Sequence, residues 1–85
     1  MYSKRFAKEV QITRHAAQRM QSRAISEREL SLLIEEGQTR FKDSKRFWIA
    51  HFFEERCDNL LCVPVVHEKD LLVVKTVMHH FSWEG

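Results

Sequence analysis

Glycine is nearly missing from this chain of 85 residues: only Gly37 and Gly85 occur. No glycine-rich loop is therefore available to cradle phosphates, which removes nucleotide hydrolases of that kind from consideration. Proline occurs once, as Pro64, inside the apolar run "LLCVPVV". It cannot donate to a strand ladder, so its strand is expected at a sheet edge or with a bulge there. Cysteine occurs twice, as Cys57 and Cys62. Two close cysteines do not make the disulfide framework of a small secreted domain, and C-x4-C is not a standard zinc half-site. No apolar run approaches the roughly 18 residues that cross a bilayer, and "MYSKRFAKEV" lacks a signal-length apolar stretch. A soluble cytoplasmic protein without membrane contact is expected. Carboxylates are scarce at the start of the chain, where Lys4, Arg5, Lys8, Arg14, Arg19 and Arg23 face Glu9 alone; this is +5 over residues 1–23 against +2 for the whole chain.

What is present is ordinary globular material: 44% hydrophobic and 31% charged residues exclude the low-hydrophobicity, high-charge signature of disorder. A chain this short supports one core, so residues 1–85 read as a single domain with residues 1–8 as a basic N-terminal arm. A local cationic excess is what a polyanion-binding surface needs, because Lys and Arg contacts to phosphates supply most nonspecific affinity. Its plain alternative is a solvated helix face.

The order of elements follows from hydrophobic period. "EVQIT", residues 9–13, alternates Val10 and Ile12 with polar neighbours and predicts a short strand. Thr13 can cap a helix running from Arg14 to Arg23, where 100° per residue gathers Ala16, Ala17 and Met20 on one side and His15, Gln18, Arg19 and Ser22 on the other. Ser26 opens a second helix through a capping box with Glu29. Leu30, Leu33 and Ile34 form its buried stripe, widened by Leu32, and Gly37 ends it in a left-handed conformation. Aromatic and β-branched runs then follow at "TRF", "RFWIAHFF", "LLCVPVV" and "LLVVKTVM", separated by short polar connections that favour hairpins. The expected fold is α+β: a short N-terminal strand, two helices, then an antiparallel sheet of about four strands with the helices on one face. Phe47, Ile49 and Phe53 point one way and Trp48, Ala50 and Phe52 the other, so two small helices leave an apolar face for a homodimer or a protein partner.

The stretch "ITRHAAQRMQSRAIS", the helix ending in Gly37 and the strands closing with "LLVVKTV" resemble the small bacterial proteins grouped as domain of unknown function 4258, over most of residues 10–78. The motif that carries the resemblance is H-A-x-x-R-M-x-x-R-x-I-S. That family is similar to the barnase, EndoU, colicin and RelE-type ribonuclease fold. The resemblance implies a RelE-like scaffold, a metal-independent RNA-cutting toxin as the activity, RNA and an antitoxin as partners, and His15, Arg19, Arg23 and Thr76 as site residues. Where the family usually has glycine before the isoleucine, this chain has Ala24; a left-handed residue there costs about 1 kcal/mol relative to glycine.

Metal-independent RNA cleavage needs a base for the ribose 2′-OH, an acid for the leaving oxygen and cations where charge grows on the phosphoryl group. His15 suits proton transfer because its ordinary pKa lies near 6.5. Arg19, one turn on, can grip the same phosphate. Lys4, Arg5, Lys8 and Arg14 extend the expected nucleic-acid surface. Thr76 reads better as core filler in a strand than as a site residue, sharing parity with Leu72, Val74 and Met78. Lys75, among valines, faces water or approaches a site. His51 and His67 are second candidates for proton transfer. Phe81 and Trp83, beside His79 and His80, stack bases or cover the sheet. A zinc site would have to gather Cys57, Cys62, His67 and one of His79 or His80, at spacings that match no template. No cofactor and no metal is expected.

Overall fold

The computed structural model describes residues 1–56 and 60–78. Among the described residues eight elements follow one another: β1 (Tyr2–Ser3), β2 (Lys8–Ile12), α1 (Arg14–Ser22), α2 (Glu27–Glu36), β3 (Gln38–Phe41), β4 (Arg46–Phe52), β5 (Leu60–His67) and β6 (Leu71–Val74). The α+β arrangement expected from the sequence is present. β3 to β6 form the antiparallel meander, with Trp48 opposite Pro64 and Val65 opposite Val74. The sheet is larger than four strands, however. β2 joins it parallel to β6, pairing Val10 with Leu72 and Ile12 with Val74, and β1 pairs antiparallel with β2, giving the order β1-β2-β6-β5-β4-β3.

The core lies between the helices and one face of this sheet. Ala16 and Met20 of α1 and Leu30, Leu33 and Ile34 of α2 are buried with Val10, Phe47, Ile49, Leu61, Val63, Val65, Leu72 and Val74. Period 2 in the strands and the i, i+3, i+4 stripe in α2 meet there. The expected stripes were slightly too wide. Ala17 is exposed because α1 contributes only Ala16 and Met20 to the core, and Leu32, 38% exposed, lies outside the stripe of Leu30, Leu33 and Ile34.

Helix ends show why these residues stop where they do. The capping box forms as expected: Glu29 N–H donates to Ser26 Oγ at 3.1 Å, and Ser26 N–H to Glu29 Oε1 at 2.9 Å. α1 closes in a Schellman motif, with Ile25 N–H donating to the Met20 carbonyl at 2.8 Å and Ala24 N–H to Gln21 at 3.3 Å. Ala24 takes the left-handed conformation this motif requires, with φ of 54°. Gly37 does not: its φ of −72° and ψ of 162° are extended. Glycine is needed there for close approach, since a Cβ would sit 2.6 Å from Ile49 Cγ2 and 2.8 Å from the Ala50 carbonyl oxygen. The end of α2 therefore rests directly on β4.

Pro64 lies on an interior strand, between β4 and β6, and not at an edge. Its carbonyl accepts from Lys75 N–H at 3.1 Å, so its missing donor faces β6 just past the last ladder residue, Val74. The ladder stops where proline cannot extend it. The last strand consequently ends at Val74, and Thr76 falls in the segment after it. Parity breaks in this segment: Val77 is fully buried while Thr76 and Met78 are half-buried. The outer sheet face is left largely uncovered. Trp48 is half-buried, Phe52 is 58% exposed and only Ala50 is covered. No helix among the described residues is long and apolar enough to cross a membrane.

Candidate nucleic-acid interface

α1 is pinned at both ends to the segment after β6. At its start Thr13 Oγ1 accepts from Ala16 N–H at 3.1 Å, capping the helix, and donates to the Lys75 carbonyl at 3.0 Å. At its end the Arg23 guanidinium donates to the Val77 carbonyl. Thr76 is thus held between two anchored neighbours, alongside the helix that carries His15, Arg19 and Arg23. Arg56 completes the far end: its guanidinium donates to the carbonyls of Arg23 and Ala24 at 2.9 Å each and pairs with Glu29 Oε2 at 3.2 Å. These bonds satisfy carbonyls that the helix end leaves without partners.

Burial by itself raises the Glu29 carboxyl, but the Ser26 backbone N–H, the Arg56 hydrogen bond and the Arg56 charge outweigh it and hold Glu29 below its ordinary value. Sequence patterning found Glu29 through its capping box. It gave no signal for Arg56, which comes from a connection between strands.

Between these anchors, α1 turns Arg14, His15, Gln18, Arg19 and Ser22 to solvent. The first turn contains no acidic residue, and Arg19 sits in the last turn, where a cation is favoured by the helix dipole. Neither His15 nor Arg19 has a side-chain hydrogen bond or ion pair among the described residues. His15 and Arg19, one turn apart, can reach a single phosphate, with Arg14 toward the other side of the exposed face. Arg23 has a different position, half-buried and spent on Val77.

The other predicted cations are elsewhere. Lys8 and Ile12 bound β2, roughly 13 Å apart at strand rise, so Lys8 and Arg14 lie at opposite ends of that strand. Lys8 Nζ donates to the Glu68 carbonyl at 2.8 Å and lies 3.1 Å from His67 Nδ1. Arg5 donates to the carbonyls of Ile34 at 3.0 Å and Gly37 at 2.7 Å, closing the end of α2, and its guanidinium lies over the Phe6 ring. In return Glu35 accepts from the N–H groups of Lys4 at 2.7 Å and Arg5 at 3.0 Å and from Ser3 Oγ at 3.0 Å. Burial raises Glu35, and these donors with the Arg5 charge bring it below its ordinary value. Residues 1–8 are therefore built into the fold through β1 and these contacts. Of this group the Lys4 side chain faces solvent.

His67 is wedged against Phe47, ring centroids 4.8 Å apart, and Phe6, at 5.7 Å. Burial and then the Lys8 charge lower its pKa, so it is neutral near pH 7. His51 packs edge-on against Phe53 at 4.9 Å. Among the described residues no group of three or more His, Cys, Asp or Glu is placed to hold a metal ion. Cys57, His79, His80, Phe81 and Trp83 lie outside the described residues.

A pair of helices laid on one face of a mixed six-stranded sheet, with a cationic, histidine-bearing outer surface on the first helix, defines a small α+β protein. The family model described as a domain of unknown function, DUF4258, matches residues 12–79, and the chain belongs to that family. No curated protein and no solved structure matches it.

Proposed function

We propose that this protein is a toxin-like, metal-independent endoribonuclease of a bacterial toxin–antitoxin type system, on a scaffold of the RelE kind, binding RNA on the outer face of α1. One observation carries the reading. Of the seven specified residues in the motif from His15 to Ser26, five have work in the fold: Ala16, Met20 and Ile25 are buried, Ser26 caps α2 and Arg23 holds Val77. His15 and Arg19 have none among the described residues, and both face solvent one helical turn apart.

In the proposed reaction His15 takes the proton from a ribose 2′-OH. The freed oxygen attacks phosphorus, the bond to the 5′ oxygen breaks, that oxygen takes a proton from water, and the protonated His15 returns its proton to the resulting hydroxide. Arg19 steadies the charge on the phosphoryl oxygens. Arg23 is a positioning residue, acting through Val77 on Thr76. Arg14 and Lys4 add phosphate contacts, while Arg5 and Lys8 act mainly within the fold. An antitoxin or a second copy of the chain finds apolar contacts at Phe41, 54% exposed on the helix side of the sheet, or at Phe52 on its outer face.

The second reading is a noncatalytic RNA-binding module on the same scaffold. It is favoured by the commitment of Arg23 to the Val77 carbonyl, which leaves Arg19 as the nearest arginine for the phosphate. Both readings require RNA on α1. Titration of a labelled single-stranded RNA at several salt concentrations tests it: Arg14→Ala with Arg19→Ala should weaken binding and reduce the salt slope by about 0.7 per lost phosphate contact. An unchanged slope removes α1 from the interface.

A further inference from the structure

Opposite the helices, the outer face of the sheet carries a groove of about 190 Å³ whose floor is Trp48, Pro64 and Val66 and whose rim is Lys42, Arg46 and Lys75. We propose that this groove is a nucleotide subsite for single-stranded RNA, with one base stacked on Trp48 and the flanking phosphates on Lys42 and Lys75. The inference deepens the reading of α1 as an RNA surface and rests on it.

Size, charge and continuity support this occupant. The groove is smaller than the roughly 300–1,000 Å³ pockets that enclose whole ligands, so it admits a single ring. Its rim is cationic. Asp43, the neighbour of Lys42 in the chain, is already held by Arg46 at 2.9 Å and by the N–H groups of Lys45 and Arg46, so it does not compete with an incoming anion for the two lysines. An aromatic floor between cations is the arrangement that holds unpaired nucleotides, because every base has a face to stack and every linkage a phosphate to bind. Continuity comes from Lys75, which lines the groove while its carbonyl accepts from Thr13, the residue before Arg14 and His15. One strand can thus pass from the start of α1 around the end of β6 onto Trp48.

The experiment uses the full chain with Trp83→Phe, which leaves Trp48 as the one tryptophan. A short oligouridylate is titrated in while fluorescence and, separately, anisotropy of the labelled oligomer are read. Stacking should quench Trp48 in step with binding. Lys42→Ala with Lys75→Ala, both exposed positions, should weaken binding about tenfold near 0.1 M salt and lower the salt slope by about 1.4 for two lost contacts. Trp48→Ala should weaken binding by about tenfold, and the lysine variants keep the test valid if Trp48→Ala does not fold. Binding that is lost with Arg14→Ala and Arg19→Ala, yet unchanged in the lysine variant and silent at Trp48, overturns the groove and leaves the α1 surface standing. Failure of the parent protein to bind any oligomer overturns both. A Trp48 signal that follows protein concentration without RNA, or an acidic peptide, assigns the groove to a protein contact and overturns the subsite.

Discussion

The Arg23 guanidinium donates to the Val77 carbonyl, fastening the end of α1 to the segment that follows β6. A charged donor serving a carbonyl in a half-buried place contributes roughly 1.5–3 kcal/mol. Arg23→Ala should therefore lower unfolding stability by that order in a urea titration. Arg19→Ala, on the solvent side of the same helix, should stay within about 0.5 kcal/mol of the parent. Equal losses at the two positions would mean that Arg23 is no tether.

Ala24 offers the complementary gain. It holds a left-handed φ of 54° in the Schellman turn, where glycine pays no Cβ penalty. Ala24→Gly should stabilise the protein by about 1 kcal/mol, offset in part by the greater freedom of glycine in the unfolded chain. For a domain of this size that corresponds to a midpoint about 4–8 °C higher at most. A lower melting temperature would contradict the strain.

Stability should fall with acid in two steps. The His67 pKa is lowered by burial and by Lys8, so the unfolded chain takes up the proton first and stability declines as pH falls from about 6.5. Glu29 and Glu35 are lowered by their donors despite burial; their contribution is full above the ordinary carboxylate range and is lost as pH falls through and below it. Denaturant midpoints measured from pH 8 to pH 3 should show both steps. His67→Phe should remove the upper one, and Glu35→Gln should reduce the lower one; a flat profile above pH 5 in the parent protein would contradict the first.

Much of this fold was legible because local chemistry dictated it. Ser26 and Glu29 declare a helix start by spacing alone, Thr13 caps as a threonine before a helix should, and four apolar runs with short polar connections define the meander. What escaped depends on partners distant in sequence. β2 pairs in parallel with β6 across almost the whole chain, and nothing within "EVQIT" encodes that neighbour. Pro64 implied a ladder break, but only the fold shows that β6 ends there and the strand stays interior. Gly37 was correctly the stop for the wrong reason, close approach to β4 instead of a left-handed turn. At the site, the helical period located His15 and Arg19 on a solvent face. It put Arg23 at the flank of that face but could not show its partner, the Val77 carbonyl 54 residues away.

Self-association is expected if either exposed phenylalanine, Phe41 on the helix side of the sheet or Phe52 on its outer face, meets a second copy. Light scattering at micromolar concentration should then report a dimer, and Phe41→Ser or Phe52→Ser, respectively, should return it to monomer. A monomer in the parent protein would leave those side chains to an antitoxin, which static light scattering of the mixed pair would detect.

The most direct test is cleavage of single-stranded RNA by the purified protein, free of any inhibitory partner, in chelator and with ribosomes present in a parallel reaction. The expected products carry 2′,3′-cyclic phosphate ends, and His15→Ala should lower turnover by about 100-fold or more while RNA affinity and melting temperature hold. Parent protein that binds RNA and leaves it intact under both conditions, or cleavage that continues unchanged in His15→Ala, would contradict the assignment of His15 as the proton-transfer group.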